Sequence, residues 1–170
     1  MKTSLALIGF MGTGKTVVAK ALARRLNKEF IELDSLIQEK AGKSIPAIFQ
    51  QDGETAFRRL ETEVTKQVAG RKNAVIAGGG GIVLNQLNIE HLKKECVIVY
   101  LTASPEVILK RTANAKNERP LLEVADRAQR VRELLKQRQP LYEQAADIKI
   151  DTSGLNINSI ARQIISELKE

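Results

Sequence analysis

The fold of this chain is decided by the stretch Ser4-Leu-Ala-Leu-Ile-Gly-Phe-Met-Gly-Thr-Gly-Lys-Thr16. Its first five residues are apolar or small, which predicts a short strand buried on both faces of a sheet. The rest, from Gly9 to Thr16, matches G-x-x-x-x-G-K-[ST] without exception. In this motif the glycines let successive backbone N–H groups turn toward a phosphate, and the following helix adds its positive end. The stretch therefore predicts a strand, a phosphate-binding loop and a helix that begins near Lys15.

The side chains of this loop predict a nucleoside triphosphate site. Lys15 supplies a point charge for the β- and γ-phosphates, and Thr16 offers a hydroxyl to Mg²⁺. The candidate ATP-binding residues of the loop are Gly12, Thr13, Gly14, Lys15, Thr16 and Val17. Kinases, GTPases, motors and passive binders share the motif, so it does not fix the reaction. The chain has no guanine motif N-K-x-D and no D-E pair ending an apolar strand, which favours a small kinase.

Length and composition limit the remaining classes. With 170 residues, 43% of them apolar and 28% charged, the chain is expected to form a single globular domain. One cysteine excludes an internal disulfide and a cysteine-rich zinc site, and one histidine excludes a histidine-based metal cluster. No apolar run is long enough for a membrane span. We expect a cytoplasmic protein with no membrane partner.

The charge distribution points to an anionic ligand. The net charge is +7, from 27 basic and 20 acidic residues, and nine of the basic residues lie between Lys110 and Arg138. Such a cluster of basic residues in one segment favours an anion-binding site over a charged surface that only keeps the protein soluble. Nucleic acid is a candidate on charge alone, but only 4% of the residues are aromatic, so a base-stacking surface is poorly supplied and we expect no nucleic-acid partner.

Alternating strand and helix patterns predict a doubly wound α/β fold. The predicted strands are Ser4–Ile8, Phe30–Leu33, Ala74–Ala77, Val97–Leu101 and Ile148–Ile150. The predicted helices are Val17–Leu26, one capped by Asp34 or Ser35 and ending near Gly42, Glu54–Ala69, one starting at Ser104-Pro105-Glu106, and Leu155–Leu168.

Three features are candidates for binding the phosphate acceptor, and each has a simpler alternative. Glu32 and Asp34 follow the second strand, where they could bind a metal's water or take a hydroxyl proton, although Asp34 could merely cap a helix. Arg58 has Glu54 and Glu61 at helical spacing. The two carboxylates could hold its guanidinium in place to bind a ligand carboxylate, or the three residues could form ion pairs on the surface of a helix. The run of four glycines at 78–81 offers backbone to a ligand or is a flexible turn.

Taken together, these pieces resemble the shikimate kinase family of nucleoside-monophosphate-kinase-like P-loop proteins. The resemblance covers nearly the whole chain. It is carried by Gly9–Thr16, Asp34, Phe49-x-x-x-Gly53-Glu54-x-x-Phe57-Arg58-x-x-Glu61, Gly79–Gly81, Arg119-Pro-Leu-Leu122 and Arg138-x-x-x-Tyr142-x-x-x-Ala146. It implies one domain over 1–170, with a five-stranded parallel sheet flanked by helices, a lid at about 112–123 and a substrate-binding segment at about 34–61.

The resemblance also implies an activity, which is Mg²⁺-dependent phosphorylation of the 3-hydroxyl of shikimate by ATP. The product is 3-phosphoshikimate, in aromatic amino acid biosynthesis, and the enzyme is expected to be a cytoplasmic monomer. The implied catalytic residues are Asp34, Lys15 and Arg119, the last of them in the lid. The implied shikimate-binding residues are Asp34, Arg58, Gly79, Gly80, Gly81 and Arg138, and Arg111 is placed near the adenine together with 151–153. Phe49 and Phe57 are either walls of the substrate pocket or core.

One position departs from the family pattern. Glu32 stands where many members carry Asp, so the carboxylate reaches one methylene further toward Mg²⁺, which we expect Thr16 to bind directly and Glu32 through water. Two other functions stay open. The first is a kinase for another polyol acid, such as gluconate, and the second is a non-catalytic, ATP-responsive binding module.

Overall fold

The computed structural model describes residues 1–113, 126–154 and 156–169. Five strands form one parallel sheet in the order β2-β3-β1-β4-β5. They are β1 (Ser4–Ile8), β2 (Glu29–Glu32), β3 (Ala74–Ala77), β4 (Cys96–Thr102) and β5 (Ile148–Asp151). The predicted fold class is confirmed, and each predicted strand lies within one residue of its observed ends.

Helices cover both faces of this sheet. They are α1 (Lys15–Leu26), α2 (Leu33–Ala41), α3 (Ile45–Asp52), α4 (Glu54–Val68), α5 (Gln86–Lys93), α6 (Pro105–Thr112), α7 (Arg127–Ala145) and α8 (Ile157–Leu168), with a short 3₁₀ turn at Ile82–Leu84. Side chains of β1 alternate between two cores: Leu5 and Leu7 pack with α1 and α8, while Ala6 and Ile8 pack with the helices of the other face. None of the helices in the described ranges is both long and apolar enough to cross a bilayer.

The segment after β2 differs from the sequence-based expectation. Helix α2 already begins at Leu33, and the residue in the capping position is Glu32, which makes no side-chain capping bond. The predicted cap at Asp34 or Ser35 is therefore wrong. The buried Leu33 side chain anchors this turn, so Asp34 lies in the first turn of the helix rather than on a strand. Glu32 and Asp34 consequently leave the backbone in different directions.

Helix α7 was not among the helices predicted from the sequence, and neither was helix α3. Its start carries the same signal as α6, a serine that accepts a hydrogen bond from the third following backbone N–H, with proline in the first turn. Ser44 accepts from Ala47 N at 3.2 Å. Helices α2, α3 and α4 pack against one another, and α2 and α4 carry Asp34 and Arg58. Helix α8 begins at Ile157, and Leu155 lies outside the described residues.

Candidate active site

A cavity of about 750 Å³ opens at the carboxyl ends of β1, β2 and β3. It brings together almost every predicted site residue in the described ranges. These are Gly12, Gly14, Lys15, Thr16, Val17, Glu32, Asp34, Arg58, Gly79, Gly80, Gly81, Arg111 and Arg138. The exception is Thr13, which lines a second cavity of about 740 Å³ instead. Arg119 and residues 114–123 of the expected lid lie outside the described residues.

The phosphate loop is shaped by its own backbone contacts. Gly9 has φ 149°, and a Cβ placed there would lie 2.4 Å from the carbonyl oxygen of Leu101, so only glycine fits. The buried Thr13 hydroxyl donates to the Phe10 carbonyl at 2.8 Å, which gives this side chain a role in holding the loop. The Lys15 ammonium donates to the carbonyls of Gly9 and Phe10 at 2.7 and 2.9 Å. These contacts place the ammonium at the mouth of the loop, where a phosphate would meet α1.

The glycine run after β3 faces the charged groups on the other side of the cavity. A Cβ placed on Gly79 would lie 3.1 Å from Asp34 Oδ1 and 3.0 Å from Glu61 Oε2. On Gly81 it would lie 2.2 Å from Arg58 Nη1, and on Gly80 it would lie 3.6 Å from Arg138 Nη1. The absence of side chains therefore lets two carboxylates and two guanidinium groups approach the same backbone, and the run is more than a flexible turn.

Arg58 is held in one orientation by carboxylates on its own helix. Its guanidinium pairs with Glu61 at 3.0 Å and with Glu54 at 3.4 Å, as the helical spacing predicts. Glu61 is only 2% exposed, so this pair is not the surface ladder that the sequence left open. Burial raises the pKa of the Glu61 carboxyl, and the attraction of Arg58 lowers it less than burial raises it.

Among the residues that the structure describes, two buried polar atoms in this region have no hydrogen-bond partner. They are Glu61 Oε2 and Arg138 Nη1, and Arg138 is itself only 2% exposed. Buried polar groups are nearly always paired, and leaving one unpaired costs about 1–3 kcal/mol. Both residues line the cavity, so an acceptor with hydroxyl and carboxylate groups would find partners there.

Arg111 connects the phosphate loop to the end of β5. Its guanidinium donates to the Gly12 carbonyl at 3.1 Å and to the Thr152 carbonyl at 2.7 Å. Thr152 in turn donates to the Thr13 carbonyl at 2.9 Å. The structure thus brings Arg111 into contact with the segment 151–153, and their place beside the adenine stays a prediction.

Comparisons with known proteins agree on one family. The family model for shikimate kinase matches residues 11–169. The shikimate kinase of Pelotomaculum thermopropionicum is 44% identical over 98% of this chain and 96% of its own, and that of Thermodesulfovibrio yellowstonii is 46% identical over 96% and 94%. The structure of Acinetobacter baumannii shikimate kinase in complex with shikimate superposes with a TM-score of 0.95, at 40% identity, and covers 99% of this chain and 94% of that one. This chain belongs to the shikimate kinase family.

As a shikimate kinase the chain is a phosphotransferase. It phosphorylates shikimate with ATP as co-substrate, in aromatic amino acid biosynthesis, and Mg²⁺ is the usual metal of the family. A gluconokinase from Sinorhizobium meliloti also superposes, with a TM-score of 0.60 over 99% of this chain and 94% of its own, but at 15% identity this likeness shows the fold alone. The family resemblance inferred from the sequence is confirmed.

Side-chain oxygens that could bind Mg²⁺ lie beside the phosphate loop of this shikimate kinase. Thr16 Oγ1 donates to Glu32 Oε2 at 2.9 Å, and Ser35 Oγ donates to Glu32 Oε1 at 2.8 Å. No group of three or more metal-binding side chains occurs within the described ranges. The oxygens of Thr16 and Glu32 suit Mg²⁺, which keeps several waters and binds one or two protein oxygens together with the nucleotide phosphates.

Sequence reasoning missed one contact of the shikimate kinase site. The hydroxyl of Tyr142, on α7, donates to the carbonyl of Gly80. Tyr142 stands in the sequence only as part of a family motif, and no local pattern links it to a glycine 62 positions away. Phe49 and Phe57, left open between wall and core, line the cavity with ring centroids 4.9 Å apart, and Phe57 is also buried in the core.

Proposed function

We propose that this cavity transfers the γ-phosphoryl group of ATP to the 3-hydroxyl of shikimate. One observation carries the proposal: Asp34, Arg58 and Arg138 meet the glycine run in the same cavity as Lys15. A triphosphate at the loop and a small ring acid at the glycine run would then lie end to end, with the reacting groups between them.

The acceptor half suits a hydroxylated ring that carries one carboxylate. Arg58, fixed by Glu61 and Glu54, and Arg138, with its unpaired Nη1, present two guanidinium groups to that carboxylate. A planar guanidinium binds a carboxylate through two parallel hydrogen bonds, which fixes the ring's orientation as well as its affinity. We assign the backbone of Gly79, Gly80 and Gly81 to contacts with the ring.

Asp34 is proposed to orient the reacting hydroxyl and to take its proton. As the oxygen of the 3-hydroxyl bonds to the γ-phosphorus, the bond from that phosphorus to the β–γ bridging oxygen breaks and ADP leaves. The transition state of such transfers is loose, so the protein contributes mainly position and charge. Lys15 neutralises the transferring phosphates. Thr16 and, through water, Glu32 are the residues proposed to hold Mg²⁺, which supplies further charge neutralisation when bound.

Arg119, in the lid segment assigned at about 112–123, is proposed to reach the phosphates when the nucleotide is enclosed. Its replacement by alanine is expected to lower kcat more than it weakens either substrate's binding, because the missing charge acts on the transition state. Single-turnover kinetics with shikimate and ATP measure this. An unchanged kcat would remove Arg119 from the reaction.

The decisive assay is ADP release after shikimate is added to the protein, ATP and Mg²⁺. Gluconate and a short panel of other hydroxy acids are tested in parallel. Release with shikimate alone supports the proposal. Release with gluconate alone would favour a polyol-acid kinase, and nucleotide binding without release for any acceptor would favour a binding module.

We also propose that the enzyme works as a monomer in the cytoplasm. Lys15, Asp34, Arg58 and Arg138 of one chain line the same cavity, which supports a site that a single chain can form. Light scattering at assay concentration tests the monomeric state, and a dimer as the smallest active species would contradict it.

A further inference from the structure

The hydroxyl of Tyr142 lies between two groups assigned above to the acceptor. It donates to the Gly80 carbonyl, and the positive charge of Arg138 lies close enough to the same hydroxyl to lower its pKa. Arg138 precedes Tyr142 by one helical turn on α7, so one helix face presents both side chains. The guanidinium, the hydroxyl and the backbone of the glycine run thus lie side by side, and the hydroxyl is hydrogen-bonded to that backbone.

Tyr142 is held by burial and by an aromatic contact with the sheet. Its side chain is fully buried, and its ring stacks on the ring of Tyr100 from β4, with centroids 5.0 Å apart and planes 27° apart. Burial raises the pKa of the Tyr142 hydroxyl, which keeps it a proton donor at neutral pH. The hydroxyl is therefore a donor whose ring is buried and packed against the sheet.

The glycine run needs such an anchor. Glycine has the widest backbone freedom of any residue, and the residues at 79–81 have no side chains to pack. The peptide unit is planar and trans, so fixing the carbonyl of Gly80 also fixes the N–H of Gly81, which points the opposite way. Gly81 is the residue against which Arg58 lies.

We propose that Tyr142 is a positioning residue for the acceptor: its hydroxyl holds the Gly80–Gly81 peptide and Arg138 in the arrangement that receives shikimate. The inference rests on the proposed function, because it assigns that arrangement to shikimate. Tyr142 itself is not proposed to touch the substrate, and the nucleotide half of the cavity does not depend on it.

The test compares Tyr142→Phe with Tyr100→Phe, which removes the hydroxyl from the other ring of the stack. We expect Tyr142→Phe to raise the KM for shikimate about tenfold, the effect of losing one typical hydrogen bond, with the KM for ATP within about twofold of wild type. Tyr100→Phe is expected to leave both values unchanged. Equal rises in the shikimate KM for both variants, or a rise for neither, would overturn the proposal.

A second readout is independent of turnover. The backbone ¹H–¹⁵N resonance of Gly81 is expected to shift or broaden in Tyr142→Phe and not in Tyr100→Phe, because the peptide loses its anchor. If Tyr142→Phe had a lowered melting temperature and an unchanged Gly81 resonance, Tyr142 would contribute to packing only, and the proposal would be wrong. If the wild-type protein releases no ADP with shikimate, the proposed function is wrong. If the wild type is active and Tyr142→Phe has the same KM for shikimate, only the role of Tyr142 is wrong.

Discussion

Glu61 is the residue at which burial and ion pairing oppose each other most directly. The carboxyl is 2% exposed and lies 3.0 Å from the Arg58 guanidinium. Burial is the larger effect, so the pKa is raised although a cation lies beside it. Glu61 therefore costs stability as a carboxylate, and its benefit is to hold Arg58 in place for the acceptor.

The raised pKa of Glu61 predicts a pH-dependent difference from Glu61→Gln. The folded protein binds the proton more tightly than the unfolded chain does, so the contribution of Glu61 to stability falls as pH rises from the ordinary glutamate pKa of 4.5 through the raised folded value. Glutamine does not titrate. The melting temperature of wild type minus that of Glu61→Gln should therefore decrease as the pH is raised above about 4.5. A difference that grows with pH would show that the pairing with Arg58 outweighs burial.

The two arginines of the acceptor half predict a split between the substrates. Arg58→Ala and Arg138→Ala should each raise the KM for shikimate about 10- to 100-fold, the effect of losing a charge-assisted hydrogen bond, and leave the KM for ATP nearly unchanged. Arg59→Ala is the matched control, since Arg59 is exposed on the same helix as Arg58. If ATP binding alone suffers, the acceptor assignment is wrong.

At the scale of elements, the glycine run after β3 sets how closely α4 and α7 can approach the sheet edge. Gly81→Ala tests this, because its φ of −99° suits alanine while the added Cβ would lie 2.2 Å from Arg58 Nη1. A side-chain end can move aside, so we expect a folded protein with a displaced Arg58 and a shikimate KM raised about 10- to 100-fold. Gly70→Ala, with nothing within 4 Å of the added Cβ, should match wild type in steady-state kinetics. A normal KM for Gly81→Ala would contradict the contact.

Elements with a strong local signal could be predicted from the sequence. The five short apolar runs predicted all five strands. The central strands β1, β3 and β4 are buried on both faces and need a continuous apolar segment, whereas the edge strands β2 and β5 are partly exposed. The start of α2 could not be placed, because buried Leu33 rather than a capping side chain determines it. The start of α3 could have been predicted, because Ser44 followed by Pro46 is the same kind of signal as Ser104 followed by Pro105 at the start of α6.

Contacts between elements that are far apart in the sequence could be predicted only in part. The convergence of Asp34 and Arg58 could be expected, since both follow the carboxyl ends of parallel strands or lie on the adjoining helices. The bond from Tyr142 to Gly80 could not, because it depends on how α7 packs against β4 and on where the glycine run turns. No periodicity in the sequence encodes such a distance.

At the scale of the whole molecule, the cavity has two halves that come from different parts of the chain. The nucleotide half is built by β1 and α1, and the acceptor half by α2, α4, α7 and the segment after β3. Lys15 and Arg58 line opposite halves of the cavity. A substitution of Lys15 is therefore expected to leave the binding of shikimate intact, and a substitution of Arg58 to leave the binding of ATP intact. The net charge of +7 then serves both halves, since a triphosphate and a carboxylate are both anions.

This division predicts a crossed pattern of thermal stabilisation. A ligand that binds only the folded state stabilises it by about 2.7 kcal/mol at one hundred times its Kd, which corresponds to roughly 5–10 °C for a chain of this size. Lys15→Ala should lose most of the shift with MgATP and keep the shift with shikimate, while Arg58→Ala should do the reverse. Thermal unfolding of wild type, both variants and the exposed-site control Lys20→Ala with each ligand measures the pattern. If either variant lost both shifts while its unliganded melting temperature stayed at the wild-type value, the two halves would not bind separately, and the end-to-end arrangement would have to be abandoned.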